Sequence, residues 1–344
     1  MKVALCSTFL PFTYGGYRNI VDWLEINLRE AGHQVEKIYL PEVDAPDLLF
    51  QQMMAFRWVD LEAADRVICF RPQAHLIPHQ HKILWFIHHI RVFYDLWESP
   101  YRTFPDDFKH RGIRDALRKV DDAALREAKA IFTNSQVVTH RLKTYNHVDS
   151  EVLYPPVFNP GQFYSAGHND EIVCICRLEH HKRQHLLIEA LQHTKTPVRL
   201  TLSGTSLDCR YPQSLLALIS SLGLRQRVTI NNRWISEEEK TIQLAHCLAA
   251  AYVPQDEDSY GYPSVEASHA TKPVLTTTDS GGVLELVQDG INGYVTEPSA
   301  LALAEAMDKL YTDRQTTMKM GENAHARLDE LNISWSHVLQ RLLA

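Results

Sequence analysis

Short apolar runs separated by amphipathic stretches recur along the whole chain, the pattern of strands alternating with helices. In the first half, residues 3–6 read as a strand, Gly15-Gly16 as the turn that follows, and residues 20–31 as a helix that Gly32 ends. Residues 35–39, 67–70, 83–88, 130–133 and 152–154 read as further strands. Asn134-Ser135 has the composition of a helix cap ahead of Val137, Val138 and Leu142. Alternation of this kind predicts an α/β fold with parallel sheets.

The pattern breaks at Tyr154-Pro155-Pro156-Val157-Phe158-Asn159-Pro160-Gly161, where three prolines and a glycine preclude regular structure. It then restarts. Residues 171–176, 198–202, 228–230, 248–253 and 273–276 read as strands, with a helix from Arg183. Ser236-Glu237-Glu238-Glu239 carries the signature of a capping box, placing a helix start at Glu237. From Ala300 onward the chain reads as helical, ending in an apolar stripe of Trp335, Val338, Leu339 and Leu342. Two α/β halves joined by a proline-rich hinge are expected.

The totals narrow the partners. At 344 residues the chain exceeds one average domain, and 45% hydrophobic with 22% charged residues suits an ordinary globular core. A net charge of −7 argues against nucleic acid, which calls for a basic footprint. Residues 101–145 run the other way, with ten Lys/Arg against six Asp/Glu. That excess is either a solvated helical face or a surface for weak peripheral contact with anionic lipid. There is no run of eighteen apolar residues, and the N-terminus reads as a strand and not as a signal peptide. A cytoplasmic protein is therefore expected, with the inner membrane face as the alternative. The six scattered cysteines suit reduced thiols; Cys174 and Cys176 share a strand face and read as core thiols, since no matching pair completes a metal set.

Two segments carry the chemistry. Arg177 and Lys182 stand five apart where a strand gives way to its helix, the edge at which open parallel sheets bind ligands. An Arg fork and a Lys charge there would neutralise a diphosphate as it leaves. The bland alternative is two solvated cations. Asp258 and Glu266 stand eight apart around Tyr260-Gly261-Tyr262-Pro263. Pro263 suits a first helical turn, so backbone N–H groups of Gly261, Tyr262, Ser264 and Val265 lie near a phosphate-binding helix start. Glu266 is then placed to bridge two ribose hydroxyls, and Asp258 to accept from a transferred sugar. The alternative is an acidic surface loop with a self-capping Glu266. Gly15 and Gly16 allow close approach of a ligand, but lack the further glycine and acid of a dinucleotide fingerprint. His88 and His89 end an apolar run, and strand alternation would send them to opposite faces.

These residues together resemble the retaining nucleotide-sugar glycosyltransferases of family 4, the glycosyl transferases group 1, which have the GT-B fold. The likeness is carried by Gly15-Gly16 with Gly32-His33, Arg177-Leu178 with Lys182, Tyr260-Gly261-Tyr262 through Glu266-Ala267, and Lys272-Pro273-Val274 through Gly281-Gly282-Val283-Leu284-Glu285. Asp289-Gly290-Ile291-Asn292-Gly293-Tyr294-Val295 looks like the hairpin that follows in the family. The resemblance implies two Rossmann-like domains with parallel sheets facing across a cleft. On that basis residues 1–160 would bind the acceptor, 161–322 the donor, and 323–344 would form a helix crossing back to the first domain.

It also implies roles. Arg177 and Lys182 would hold the leaving diphosphate, Glu266 the ribose, Asp258 and His88 the donor sugar, and Gly16 the backbone's approach. The expected reaction is transfer of a hexose-type residue from a nucleotide diphosphate sugar with retention, without a metal or other cofactor, in glycan or polysaccharide biosynthesis. The acceptor would be a glycan, a lipid-linked glycan or a small molecule. The family's first motif glutamate is aspartate here, with Glu257 beside it as a substitute. Asn231-Asn232-Arg233-Trp234 replaces the usual small turn, so the nucleobase stays open. An epimerase or phosphorylase of the same fold, or a non-catalytic sugar-nucleotide-binding subunit, remains an alternative.

Overall fold

The computed structural model describes residues 1–12, 15–42 and 45–344, the side chain of Tyr17 excepted. Two compact units emerge, one of Met1–Pro155 with Ser334–Ala344 and one of Pro156–Ile333.

In the first unit, β1 (Lys2–Phe9) leads to α1 (Gly16–Glu30) and β2 (Gln34–Pro41). There follow α2 (Leu49–Arg57), β3 (Arg66–Cys69), β4 (Lys82–Phe86), α3 (Phe108–Arg126), β5 (Ala130–Thr133), α4 (Gln136–Asn146) and β6 (Glu151–Val152). The sheet runs β2-β1-β3-β4-β5-β6, every pair parallel. Its inner strands are apolar on both faces because helices cover both: Leu5, Val67, Ile68, Leu84 and Trp85 are fully buried. The Trp85 indole donates to the Leu153 carbonyl at 2.8 Å, which pins β6 to the middle of the sheet.

The second unit repeats the plan. Its elements are β7 (Glu171–Ile175), α5 (Gln184–His193), β8 (Arg199–Ser203), α6 (Arg210–Ser221), β9 (Val228–Asn231), α7 (Glu237–His246) and β10 (Ala249–Ala251). They continue with α8 (Tyr262–His269), β11 (Val274–Thr277), α9 (Val283–Leu286), β12 (Gly293–Thr296), α10 (Ala300–Thr312) and α11 (Arg314–Glu330). The order is β12-β11-β10-β7-β8-β9, again parallel throughout. Ile172, Leu187, Ile188, Leu200, Leu303 and Met307 sit in one core between the sheet and its helices. The last helix, α12 (Trp335–Leu343), belongs to the first unit and packs on α1. Its Arg341 pairs with Glu151 at 2.5 Å, and Arg66 donates to the Leu342 carbonyl at 2.5 Å.

Strand order locates the ligand-binding edge. In each sheet the first strand lies between neighbours reached in opposite directions, so a crevice opens at the carboxyl ends of β1 and β3, and of β7 and β10. Three expectations need correction. The segment 289–295 is a tight turn, closed by Gly290 N–H on the Gly293 carbonyl at 2.9 Å, and β12 then adds in parallel to β11; it is not a hairpin. The helical tail is three helices, broken at Asp313 and before Ser334, where each following helix is capped by that residue's own side chain. And β4 stops at Phe86, so strand alternation does not govern His88 and His89.

Candidate active site at the strand ends of the second unit

Beyond β7 the chain passes through Cys176-Arg177-Leu178-Glu179 into one 3₁₀ turn, His180–Lys182. Leu178 is fully buried and anchors the loop. Lys182, only 7% exposed, points its ammonium across the crevice to the loop after β10. There it donates to the Tyr252 hydroxyl at 2.8 Å and to Oε2 of Glu257, which also accepts from Tyr252 at 2.8 Å. Burial pushes the Glu257 carboxyl up, but the Lys182 charge and the two hydrogen bonds outweigh it and hold the group below its usual range. The neighbouring Tyr252 phenol is driven well above its ordinary value, by burial first and then by the Glu257 charge.

Arg177 lies at the same edge with its side chain 44% exposed, and Nη1 reaches Glu179 at 2.6 Å. The residue that ties the edge together is Arg183. With a left-handed φ of 55°, it turns its guanidinium onto the carbonyls of Val253 and Pro254, both at 2.8 Å. The same group forks onto both Asp279 oxygens at 2.7 Å and donates to the Thr277 hydroxyl at 2.7 Å. One side chain thereby fixes the ends of β10 and β11.

Asp279 and the glycines after it grip the acidic loop. Asp256 N–H donates to the Asp279 carbonyl and Gly282 N–H to the Glu257 carbonyl, each at 2.9 Å. At Gly281, φ is +62° and an added Cβ would lie 2.4 Å from the Glu257 carbonyl oxygen, so no side chain fits. Gly261 has a similar reason: φ is +68° and a Cβ would meet the Tyr252 ring at 2.2 Å. Its small size serves Tyr252 packing, and its N–H, expected to be open to a phosphate, donates to the Ser259 Oγ at 3.4 Å.

Pro263 falls in the first turn of α8, as its missing N–H favours. Ser264 and Val265 are fully buried there. The Ser264 N–H is taken by the Gly261 carbonyl at 3.1 Å, which corrects its expected availability; its buried Oγ has no partner. Glu266, one turn in, is 6% exposed and bonds Lys240 at 2.6 Å. Lys240 comes from α7, whose start is the expected capping box: Ser236 and Glu239 bond each other's backbone at 3.1 and 2.9 Å. Lys240 also meets Glu237 at 2.9 Å. Burial raises the Glu266 carboxyl despite Lys240, while the two carboxylates raise Lys240 against its own burial. Asp258 is half-buried in the same loop, but Glu257 and not Asp258 is the carboxylate on Lys182.

The candidates of the first unit sit at its own sheet edge. Gly15 caps α1 in an extended conformation, its carbonyl accepting from Arg18 and Asn19 at 3.0 and 3.1 Å, and Gly16 is the first helical residue. His88 Nδ1 lies 2.6 Å from the His89 carbonyl, an acceptor only, so the proton is on Nδ1 and Nε2 offers a lone pair. Burial, then the Arg71 and Arg91 charges, lower His88 to about 3, so the ring is neutral. His89 is core: its ring lies 4.2 Å from that of Tyr94, tilted by 38°, and it bonds Asn146 at 2.8 Å. A groove of about 400 Å³ between α2 and α3 is lined by Met53, Leu76, Val120 and Ala124 and none of the candidate site residues. Cys174 and Cys176 place their sulfurs 3.8 Å apart, and among the described residues no three His, Cys, Asp or Glu converge as a metal set.

Two parallel α/β units with ligand edges at the first strand of each have the architecture of the GT-B fold. More particularly, residues 162–327, nearly all of the second unit, match the family model for glycosyl transferases group 1. It is 26% identical to the alpha-1,3/1,6-mannosyltransferase ALG2 of Homo sapiens over 310 residues, 82% of this chain and 72% of that protein. A GDP-mannose-dependent alpha-(1-6)-phosphatidylinositol monomannoside mannosyltransferase of Mycolicibacterium smegmatis is 29% identical over 50% of this chain and 46% of its own length. Among solved structures, Anabaena HepE in complex with UDP and glucose superposes with a TM-score of 0.69 at 20% identity, covering 98% of this chain and 99% of its own. Sucrose-phosphate synthase of Thermosynechococcus elongatus does so at 0.77 and 16% identity, covering 98% and 97%.

Proposed function

We propose that the protein transfers a hexose from a nucleoside diphosphate sugar to a growing glycan, with retention at the anomeric carbon and without a metal ion. The observation that carries this reading is Lys182: a buried ammonium held at the crevice between β7 and β10, next to the exposed Arg177. Cations at such an edge suit a diphosphate whose negative charge grows as its bond to the sugar breaks. Glu266, beside the start of α8, suits the ribose hydroxyls, with the buried Ser264 Oγ and the backbone at Tyr262 and Val265 toward phosphate oxygens. Asp258 suits hydroxyls of the transferred sugar; at the first unit the neutral His88 Nε2 suits a sugar hydroxyl, and Gly15 and Gly16 suit close approach of the protein backbone to a ligand.

In this reading the anomeric C–O bond to the diphosphate breaks on the face where the acceptor oxygen attacks. The leaving phosphate oxygen takes the acceptor's proton, so no protein nucleophile is required. The mannosyltransferase relatives make GDP-mannose the first donor to offer, and the UDP complexes of similar fold make UDP-glucose the second. The acceptor is read as a glycan or lipid-linked glycan met at the first unit, in the cytoplasm or at its membrane face. No helix is long and apolar enough to cross a membrane among the described residues.

The test is transfer from each donor to mannosyl and glucosyl acceptors, with and without chelator, followed by determination of the product's anomeric configuration. An α-linked product from an α-linked donor, formed equally in chelator, supports the reading. An inverted product, loss of activity in chelator, or epimerised donor without transfer overturns it.

A further inference from the structure

We propose that Glu257 is a built-in occupant of the phosphate site: its carboxylate holds the Lys182 ammonium until the donor's diphosphate takes it over. The inference rests on the reading that Lys182 binds that diphosphate. A buried ammonium needs an anion beside it, and among the described residues the anion on Lys182 is Glu257. The pair spans the crevice between β7 and β10, so the carboxylate stands where an anionic ligand of Lys182 would stand.

The loop is constructed to hold that carboxylate in place. Asp256, immediately before it, adopts a left-handed φ of 47°, and its N–H is tied to the Asp279 carbonyl. The Glu257 backbone lies against Gly281 and Gly282, so closely that neither position has room for a Cβ beside this loop. Tyr252 adds a hydroxyl bonded to both members of the pair. With the backbone clamped, the carboxylate leaves Lys182 only by side-chain rotation. Its 23% exposed side chain has solvent to rotate into. Donor binding therefore exchanges one anion for another at Lys182, and part of the donor's affinity goes into displacing Glu257.

The consequence runs against ordinary expectation for a residue bonded to a binding-site lysine: removing its charge tightens nucleotide binding. Calorimetric titration of the full chain with GDP and with UDP tests it on wild type, Glu257→Gln, Tyr252→Phe and Lys182→Ala. The expected result for whichever nucleotide binds is a Kd about tenfold lower in Glu257→Gln. Tyr252→Phe, which loosens the pair without removing either charge, shifts Kd the same way by about twofold, and carries the test if Glu257→Gln does not fold. A supporting role for Glu257 predicts the opposite sign, since Lys182 would lose its orientation. Unchanged or weaker binding in both variants, with Lys182→Ala also weakened, overturns this inference alone. Unchanged binding in Lys182→Ala, or no binding of either nucleotide by wild type, overturns the phosphate-site reading and the inference with it.

Discussion

Lys240 Nζ lies 2.6 Å from Oε1 of Glu266, joining α7 and α8 about one turn from their starts through two side chains that are 14% and 7% exposed. The pair gives the expected ribose-binding carboxylate a fixed position. It also leaves Glu266 dependent on one cation for its charge, because burial alone already raises its carboxyl.

Replacing Lys240 by methionine strands that carboxylate, and breaking a buried pair this way costs about 3 kcal/mol. The cost depends on pH. A carboxyl raised in the folded state binds its proton more tightly there, so its contribution favours folding below the unfolded value near 4.5 and is lost as pH rises through the raised value. Without Lys240 the rise is larger. Urea denaturation is expected to show a greater stability difference between wild type and Lys240→Met at pH 7 than at pH 5; an equal difference at both would contradict the ion pair.

His88 is expected to stay neutral through the working pH range. Selective labelling of its imidazole should show an Nδ1-protonated neutral ring down to pH 5, and the kcat profile should lack an acid limb near 6.5 from this group. His89, 2% exposed, is lowered to about 4 by burial, against the raising effects of Asn146 and Asp121. A lowered histidine leaves the unfolded chain binding the extra proton, so stability falls as pH drops from about 6.5 toward 4. The slope is about 1.4 kcal/mol per pH unit for such a group. A flat stability profile between pH 7 and 5 would contradict these assignments.

Gly281→Ala introduces a Cβ against the Glu257 carbonyl at a φ of +62°. Both the contact and the backbone conformation oppose it, and the loop carrying Glu257 and Asp258 must shift. Turnover is expected to fall by about 10²-fold, as misplacement by about 1 Å does in other active sites. Gly290→Ala, at a comparable φ of +71° but with nothing within 4 Å, separates strain from displacement and is expected to keep most activity. Equal losses in the two variants would contradict the clamp.

What the sequence revealed divides by distance along the chain. The Ser236–Glu239 capping box, Pro263 in the first turn of α8 and the cap at Ser135 were legible, because each depends on residues within one helical turn. Strand existence was legible too, since parallel strands buried on both faces leave continuous apolar runs. Helices α2 and α6 were missed, α2 being short, while α3 was legible only as a charged helical face within residues 101–145, without bounds. The pairings that make the site were invisible for another reason. Lys182 meets Glu257 75 residues away, and Arg183 meets Asp279 96 away. Arg183 was legible only as the start of a helix. Its left-handed backbone and its fork onto Asp279 exist only after β10 and β11 have been brought beside β7. Glu257 was a substitute for Asp258 in the linear motif, and only the folded loop shows which of the two faces Lys182.

The most direct test of the diphosphate-stabilising account is the single-turnover transfer rate of Arg177→Ala at saturating donor. Arg177 is exposed, with Glu179 as its ion-pair partner, so the variant is expected to fold normally. Loss of a group that neutralises the leaving diphosphate should slow the chemical step by about 10²-fold or more. A rate within about threefold of wild type, less than 1 kcal/mol of barrier, would mean that Arg177 takes no part in leaving-group departure and that the proposed mechanism is wrong.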